Sequence, residues 1–124
     1  MELWTVQMGS WRLAKTHEIP LLDITRKTGL EAFSPTWELL QDYKSGNCSE
    51  SEYTDRYWVR MRETWVSHRV DWEAALDLPQ VALACYCKPG AFCHRHLLKL
   101  AFEKLCLQRG QPFIYQGELV KNAT

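Results

Sequence analysis

The segment from Val81 to Arg95 constrains the fold more than any other part of the chain. It begins with an apolar run, Val81 to Ala84, continues through the turn-forming pair Pro89-Gly90 and leads into a strongly periodic apolar pattern. That order predicts a strand, a tight loop and a helix. Ligands of open α/β sheets bind beyond the carboxyl ends of the strands, so we expect this loop to contribute to a binding site.

The predicted loop and the start of the next helix are rich in residues that carry chemistry. Cys85, Cys87 and Cys93 are followed directly by His94 and Arg95. Cys93, His94 and Arg95 are predicted to occupy the first helical turn, where free backbone N–H groups and the helix dipole favour an anion. Thiols at helix starts have lowered pKa values, and an arginine offers a bidentate fork for a phosphate. Cys85, Cys87, Cys93, His94 and Arg95 are therefore candidate ligand-binding residues.

A second polar loop, from Asp23 to Gly29, is predicted to follow a buried strand over residues 19–22. The loop carries a carboxylate, two hydroxyls and two cations. Lys27 is a candidate ligand of phosphate, because its ammonium group is a compact positive charge. Asp23 and Thr25 are candidates for binding sugar hydroxyls, and a turn-forming role is the alternative for both. Asp23 is also a candidate acid or base.

The remaining patterns place both loops in one fold. Strands predicted near residues 3–8, 19–22, 81–84 and 113–115 are separated by helical patterns, with the longest helical stretch before the third strand. We expect a single α/β domain over residues 1–124, with a mostly parallel four-stranded sheet flanked by helices and a helical insert between strands two and three. Right-handed crossovers would bring the two loops, and Arg12 after the first strand, to one edge of the sheet.

Helix boundaries follow from capping signals. Ser34-Pro35 predicts the start of a helix that ends near Lys44. The capping box Ser49-x-x-Glu52 predicts the start of the longest helix, which would extend to about Ser67. Its apolar stripe recurs every four residues and is formed by Tyr53, Tyr57, Met61 and Trp65. The tail after Gly117 is expected to be frayed.

Composition excludes several classes of protein. Lysine plus arginine equals aspartate plus glutamate, at 15 each, so the chain lacks the basic excess of general nucleic-acid binders and polybasic membrane anchors. No apolar run approaches the ~20 residues of a membrane span. Five cysteines without a secretory signal suggest reduced thiols and a cytoplasmic protein. A homo-oligomer is left open.

The cysteines admit three interpretations. Zinc could be bound by thiolates and imidazole, but adjacent side chains on a helix, as predicted for Cys93 and His94, should diverge. Covalent catalysis could use Cys93 or Cys87 as nucleophile and Asp23 or His94 as base. The third interpretation is that the thiols only pack. The favoured prediction includes neither a metal nor a cofactor.

Several aromatic residues are candidates for stacking on a base. Six tryptophans are many for 124 residues. Each aromatic is individually expected to pack in the core, but Trp11, Trp37 and Tyr53 are candidates for the wall of a pocket, since a base can stack on an aromatic face.

The combined motifs resemble a known family. The segment from Cys85 to Leu98 is similar to the signature of the family called domain of unknown function 488, although many of its members lack the first Cys-x-Cys pair. The likeness to a phage-borne branch rests on four further segments: Asp23-x-Thr25-x-Lys27-x-Gly29, Ala32 to Trp37, Tyr43 to Gly46, and Glu52 to Arg62. The resemblance implies a compact α/β fold. Its phage setting implies work on nucleotides or on a host's nucleotide-derived immune signal.

Three functions are compatible with these observations. The favoured hypothesis is binding of a phosphorylated nucleotide-like small molecule, as in a phage anti-defence sponge that sequesters a host cyclic nucleotide or an ADP-ribose-type signal, in the cytoplasm of an infected bacterium. The second is a cysteine-dependent enzyme that modifies or hydrolyses such a molecule. The third is a zinc-stabilised interaction module.

Overall fold

The computed structural model describes residues 1–88 and 90–121, and it consists of four strands and five α-helices. Pro89, which belongs to a predicted turn, lies outside the described residues. The strands are β1 (Glu2–Gln7), β2 (Leu21–Asp23), β3 (Gln80–Cys85) and β4 (Ile114–Leu119). The helices are α1 (Trp11–Thr16), α2 (Trp37–Lys44), α3 (Glu50–Ser67), α4 (Arg69–Leu76) and α5 (His94–Gln108). No helix among the described residues is both long and apolar enough to cross a membrane.

The four strands form one parallel sheet in the order β2-β3-β1-β4. Gln7 pairs with Cys85, and Asp23 pairs with Ala84, so the first three strands end side by side. The α/β fold, the four-stranded sheet and the insert of α2, α3 and α4 between β2 and β3 are confirmed. The loops after β2 and β3 consequently start at the same edge of the sheet, on adjacent strands.

Strand β3 separates two apolar layers. Val81, Leu83 and Cys85 belong to the larger core, which includes residues of α2, α3, α4 and α5. Ala82 and Ala84 point to the other face and pack with residues of β1 and α1. A strand that is buried on both faces accounts for the continuous apolar run in the sequence.

The longest helix, α3, begins as predicted. The Ser49 hydroxyl accepts a hydrogen bond from the Glu52 N–H, and the Glu52 carboxylate accepts one from the Ser49 N–H. The helix ends at Ser67, as its apolar stripe indicated. Tyr53 and Tyr57 of this stripe are buried in the larger core, which also contains residues of β3 and α5.

Four local predictions were wrong. Strand β2 begins at Leu21 and is an edge strand with Leu21 39% exposed, rather than a buried strand from residue 19. Thr36, not Ser34, caps α2, because its hydroxyl accepts the Leu39 N–H. The last strand extends to Leu119, so the tail after Gly117 is part of the sheet and is not frayed there.

The fourth wrong prediction concerns Cys93. This residue precedes α5 as its N-cap and has an extended backbone, with φ −157° and ψ 147°. His94 is the first helical residue. The side chains of Cys93 and His94 therefore do not diverge as two neighbours within a helix would.

Candidate functional site

A cleft of about 380 Å³ lies at the carboxyl ends of β2 and β3. Its walls come from the loop after β2, from α2, from the start of α3 and from the loop between β3 and α5. This volume falls within the range of small-molecule sites in proteins. The cleft brings together residues from both loops that the sequence singled out.

The wall of the cleft is strongly aromatic. Tyr43 packs edge-on against Tyr53, with ring centroids 5.2 Å apart, and both rings contact Phe92 at 5.5 Å. Trp37 also lines the cleft, and 52% of its surface is exposed. A large aromatic face left in contact with solvent at a cavity is available for stacking.

Three cations and no carboxylate line the cleft among the described residues. Arg26 and Lys27 come from the loop after β2, and Lys44 is the last residue of α2. The guanidinium carbon of Arg26 lies 5.6 Å from the centre of the Trp37 ring, a cation–π contact. The cleft therefore has a positive local charge although the chain as a whole is neutral.

Three thiols meet at the base of this cleft. The Cys85 Sγ lies 2.8 Å from the Cys93 Sγ and 3.7 Å from the Cys87 Sγ. Cys85 and Cys93 are buried, while Cys87 is half-buried. The loop between β3 and α5 thus folds back so that its two ends place their sulfur atoms together.

His94 completes this cluster. Its Nε2 lies 2.7 Å from the Ile24 carbonyl oxygen, which can only accept, so Nε2 carries the hydrogen. Its Nδ1 then has a free lone pair, 3.8 Å from the Cys93 Sγ and 3.9 Å from the Cys85 Sγ. Burial lowers the pKa of His94, which keeps the imidazole neutral.

The thiols differ in acidity. Hydrogen bonds from Cys85 and Cys93 hold the pKa of Cys87 well below its usual range, with a smaller contribution from the positive charge of Arg95. The same hydrogen bonds and burial raise the pKa of Cys93. Of the three thiols, the least buried is therefore the one whose ionised form is favoured.

Arg95 is placed differently from the prediction. It is completely buried, and it is not among the residues that line the cleft. Its Nε and Nη2 donate to the carboxylate of Glu118, and its two Nη atoms also donate to the carbonyl oxygens of Cys87 and Lys88. Protein groups take these donors, so the arginine fixes the loop, and we do not include it among the phosphate ligands.

Asp23 also forms the loop rather than the wall. One carboxylate oxygen accepts the N–H and the hydroxyl of Thr25, and the other accepts the hydroxyl of Thr28. This is the turn-forming alternative for Asp23. Thr25 itself is buried and lines the cleft, next to Lys27.

Two further predicted site residues, besides Arg95 and Asp23, do not line the cleft. Trp11 and Arg12 follow β1, and the Arg12 guanidinium carbon lies 5.0 Å from the centre of the Trp11 ring. Neither residue lines the cleft. The loop after β1 leads into α1, and Ala14 of that helix packs with Ala82 and Ala84 on the opposite face of the sheet from the insert.

Sequence reasoning missed several lining residues. Tyr43, Lys44, Tyr86 and Phe92 line the cleft but were not predicted there. A signal existed for Lys44, since it lies seven residues after Trp37 on the same face of the helix, whereas Tyr43, six residues after Trp37, lies off that face. Phe92 and Tyr86 belong to the irregular loop, which has no periodic pattern.

Comparison with known proteins places the chain in a family. No curated protein and no solved structure matches it significantly. A model of one protein family, described as the active DUF488-N3 subclade, matches residues 12–105. That range includes both loops of the cleft, all three clustered cysteines and the whole helical insert. The chain therefore belongs to the DUF488 family.

Proposed function

We propose that the cleft binds a phosphorylated, nucleotide-like small molecule. The observation that carries this proposal is the lining of the cleft, which has three cations, no carboxylate among the described residues, and the exposed ring of Trp37. An anionic group would bind near Lys27 and Lys44, and a planar ring would stack on Trp37. Thr25 would contribute a hydroxyl to the polar part of the ligand.

The biological role that we propose is sequestration. In a phage-borne member of the family, a binding protein with this cleft would remove a host cyclic nucleotide or an ADP-ribose-type signal from the cytoplasm of the infected bacterium, and so act against host defence. This role rests on the resemblance of the motifs to those of a phage-borne branch. Sequestration requires tight binding, without turnover of the ligand.

Calorimetric titration with three probes tests the binding mode. AMP contains a base and a phosphate, adenosine lacks the phosphate, and ribose 5-phosphate lacks the base. We expect AMP to bind more tightly than either fragment, and the affinity for AMP to fall with added salt, because the cations contribute through their charge. Equal affinity for AMP and adenosine would contradict the phosphate site, and failure of all three to bind would overturn the proposal.

A second experiment tests sequestration. ADP-ribose and a cyclic dinucleotide would each be incubated with the protein, released by heating and identified by mass spectrometry. Recovery of the unaltered molecule together with depletion from free solution supports a sponge. Depletion without release, or release of an altered molecule, contradicts it.

A second candidate function is thiol chemistry on the bound molecule. The position of Cys87 favours it, because this half-buried thiol lines the cleft and its pKa is lowered by its bonds to Cys85 and Cys93. A thiolate facing a ligand site can act as a nucleophile. Catalytic conversion of a nucleotide that is lost in Cys87→Ser, but retained in Cys48→Ser, would establish this function.

A further inference from the structure

Four side chains with metal-binding atoms converge below the cleft. The ligand atoms of Cys85, Cys93 and His94 all lie within 4.8 Å of one another, and the Cys87 Sγ lies 3.7 Å from the Cys85 Sγ. We propose that these four residues bind a zinc ion. This inference does not depend on the nature of the ligand in the cleft.

The distances agree with a tetrahedral site after a small adjustment. Zinc–sulfur bonds of about 2.3 Å imply sulfur atoms about 3.8 Å apart at a tetrahedral zinc ion. The Cys85 and Cys87 sulfur atoms are 3.7 Å apart, and the His94 Nδ1 lies 3.8 Å and 3.9 Å from its two sulfur neighbours. The 2.8 Å separation of Cys85 and Cys93 must widen, and the Cys87 sulfur must move towards Cys93 and His94, because it does not belong to the group of ligand atoms within 4.8 Å of one another.

The histidine is already oriented as a ligand. A histidine that binds a metal usually donates its other ring N–H to a carbonyl or carboxylate, which fixes the tautomer. The Nε2 of His94 donates to the Ile24 carbonyl oxygen, so the lone pair of Nδ1 faces the sulfur atoms. Burial leaves 6% of His94 exposed, and water cannot readily replace the thiols as its partners.

Nearby positive charge would compensate the thiolates. Three thiolates, one neutral imidazole and Zn²⁺ carry a net charge of about −1. Arg95 is adjacent, and it donates to the carbonyl oxygen of Cys87, one of the ligands. The N-terminus of α5 begins at His94 and presents its dipole to the same cluster. These groups would stabilise a negative centre in a buried position.

Zinc and thiol catalysis would use the same sulfur atoms. With zinc bound, Cys87 is a ligand and is not a free nucleophile. The metal content of the protein therefore separates this inference from the second candidate function. The aromatic wall and the cations of the cleft do not contribute ligands, so nucleotide binding and zinc binding can each fail without the other.

Metal analysis of the purified protein is the first test. We expect one zinc ion per chain in protein produced with zinc and purified without chelator. Cobalt substitution should give the absorption bands of thiolate–Co²⁺ charge transfer in a tetrahedral field. Protein with native circular dichroism that contains no zinc, and that binds neither added zinc nor cobalt, would overturn the inference. A mass two hydrogens below that of the reduced chain, with no metal, would show a disulfide instead.

Variants identify the ligands. Cys93→Ser and His94→Ala should each weaken the affinity for cobalt by more than about 100-fold, since the loss of even an outer-shell partner costs 10–100-fold. Cys48→Ser and Cys106→Ser are matched controls, because both thiols are buried away from the cluster, and both should keep the wild-type affinity. Full cobalt binding by Cys93→Ser would contradict the proposed site.

Wild-type protein provides a test that does not depend on the folding of a variant. Zinc protects its ligands from thiol reagents, so a chelator should make the half-buried Cys87 react rapidly and should lower the Tm. Unchanged reactivity and Tm after removal of zinc would show that the bound metal is elsewhere, and would overturn the assignment.

Discussion

The carboxylate of Glu118 accepts two hydrogen bonds from the guanidinium of Arg95, each 3.2 Å long. Arg95 lies in the first turn of α5, and Glu118 lies near the end of β4. The pair therefore connects the start of the last helix to the end of the last strand. The same guanidinium holds the carbonyl oxygens of Cys87 and Lys88. The ion pair therefore positions the loop that supplies the thiols of the cleft.

Replacement of Glu118 should destabilise the fold. In Glu118→Gln the buried Arg95 loses its counter-charge, and we expect a loss of roughly 2 kcal/mol in the free energy of unfolding, less than for a fully buried pair because Glu118 is partly exposed. Urea unfolding measures the change. Glu103→Gln makes the same chemical change at an exposed position of α5 and should stay within about 0.5 kcal/mol of wild type. Equal stability of the two variants would contradict a structural role for the pair.

Much of the fold was predictable because local signals agreed with one another. The apolar run before Cys85 predicted the central strand, the capping box at Ser49 predicted the start of α3, and its four-residue apolar stripe predicted the buried face. Parallel pairing then followed from the alternation of strands and helices. The convergence of the loops after β2 and β3 was likewise predictable, since both strands end at one edge.

The site was less predictable because its details depend on contacts between distant residues. The partner of Arg95 lies 23 residues along the chain, in a segment that looked like a tail. The hydrogen bond of His94 to Ile24 spans 70 residues, and no pattern encodes it. The sequence predicted that Cys93 would lie in the helix, where its side chain would diverge from that of His94 and could not share a metal with it. The structure places Cys93 one position before the helix, with an extended backbone, so this argument against a metal site no longer applies.

Gly29 should tolerate no side chain. A Cβ at this position would lie 2.7 Å from a carboxylate oxygen of Asp23 and closer still to its backbone carbonyl. Gly29→Ala must therefore displace the loop, and we expect a loss of about 1–3 kcal/mol in stability and weaker binding of AMP. Gly9→Ala is the matched control, because a Cβ there meets nothing within 4 Å. Thermal unfolding and calorimetry on both variants provide the comparison, and a neutral Gly29→Ala would refute the close contact.

The hydroxyl of Tyr57 should contribute to stability. It is buried and donates a 2.7 Å hydrogen bond to the Phe33 carbonyl oxygen. Tyr57→Phe leaves that oxygen without its partner, at a cost of about 1–3 kcal/mol in urea unfolding. Tyr86→Phe, at a position 54% exposed, should change stability by less than about 0.5 kcal/mol. If Tyr86→Phe lost as much free energy of unfolding as Tyr57→Phe, the result would contradict a buried hydrogen bond from the Tyr57 hydroxyl.

Tyr57 also predicts a dependence on alkaline pH. Burial raises its pKa well above 10 in the folded protein, so only the unfolded chain ionises near pH 10. The contribution of the neutral phenol is complete below pH 10 and is lost as the pH rises above it, with a slope of about 1.4 kcal/mol per pH unit for this one group. Tyr57→Phe should reduce the slope of unfolding free energy against pH between 10 and 11 by about 1 kcal/mol per pH unit, below the limiting slope because the unfolded phenol is only partly ionised over this range. An unchanged slope would contradict the prediction.

Trp37 and Trp11 provide the sharpest comparison at the cleft. Each ring has an arginine above it, Arg26 at 5.6 Å and Arg12 at 5.0 Å, but only Trp37 lines the cleft. Trp37→Ala should weaken binding of AMP by about 5- to 150-fold, the equivalent of about 1–3 kcal/mol for one stacked base. It should leave the weaker binding of ribose 5-phosphate nearly unchanged, because that probe has no base. Trp11→Ala should bind both probes as wild type does. If Trp11→Ala lost affinity and Trp37→Ala kept it, the ligand would lie near the end of β1, and the cleft between the loops after β2 and β3 would not be the binding site.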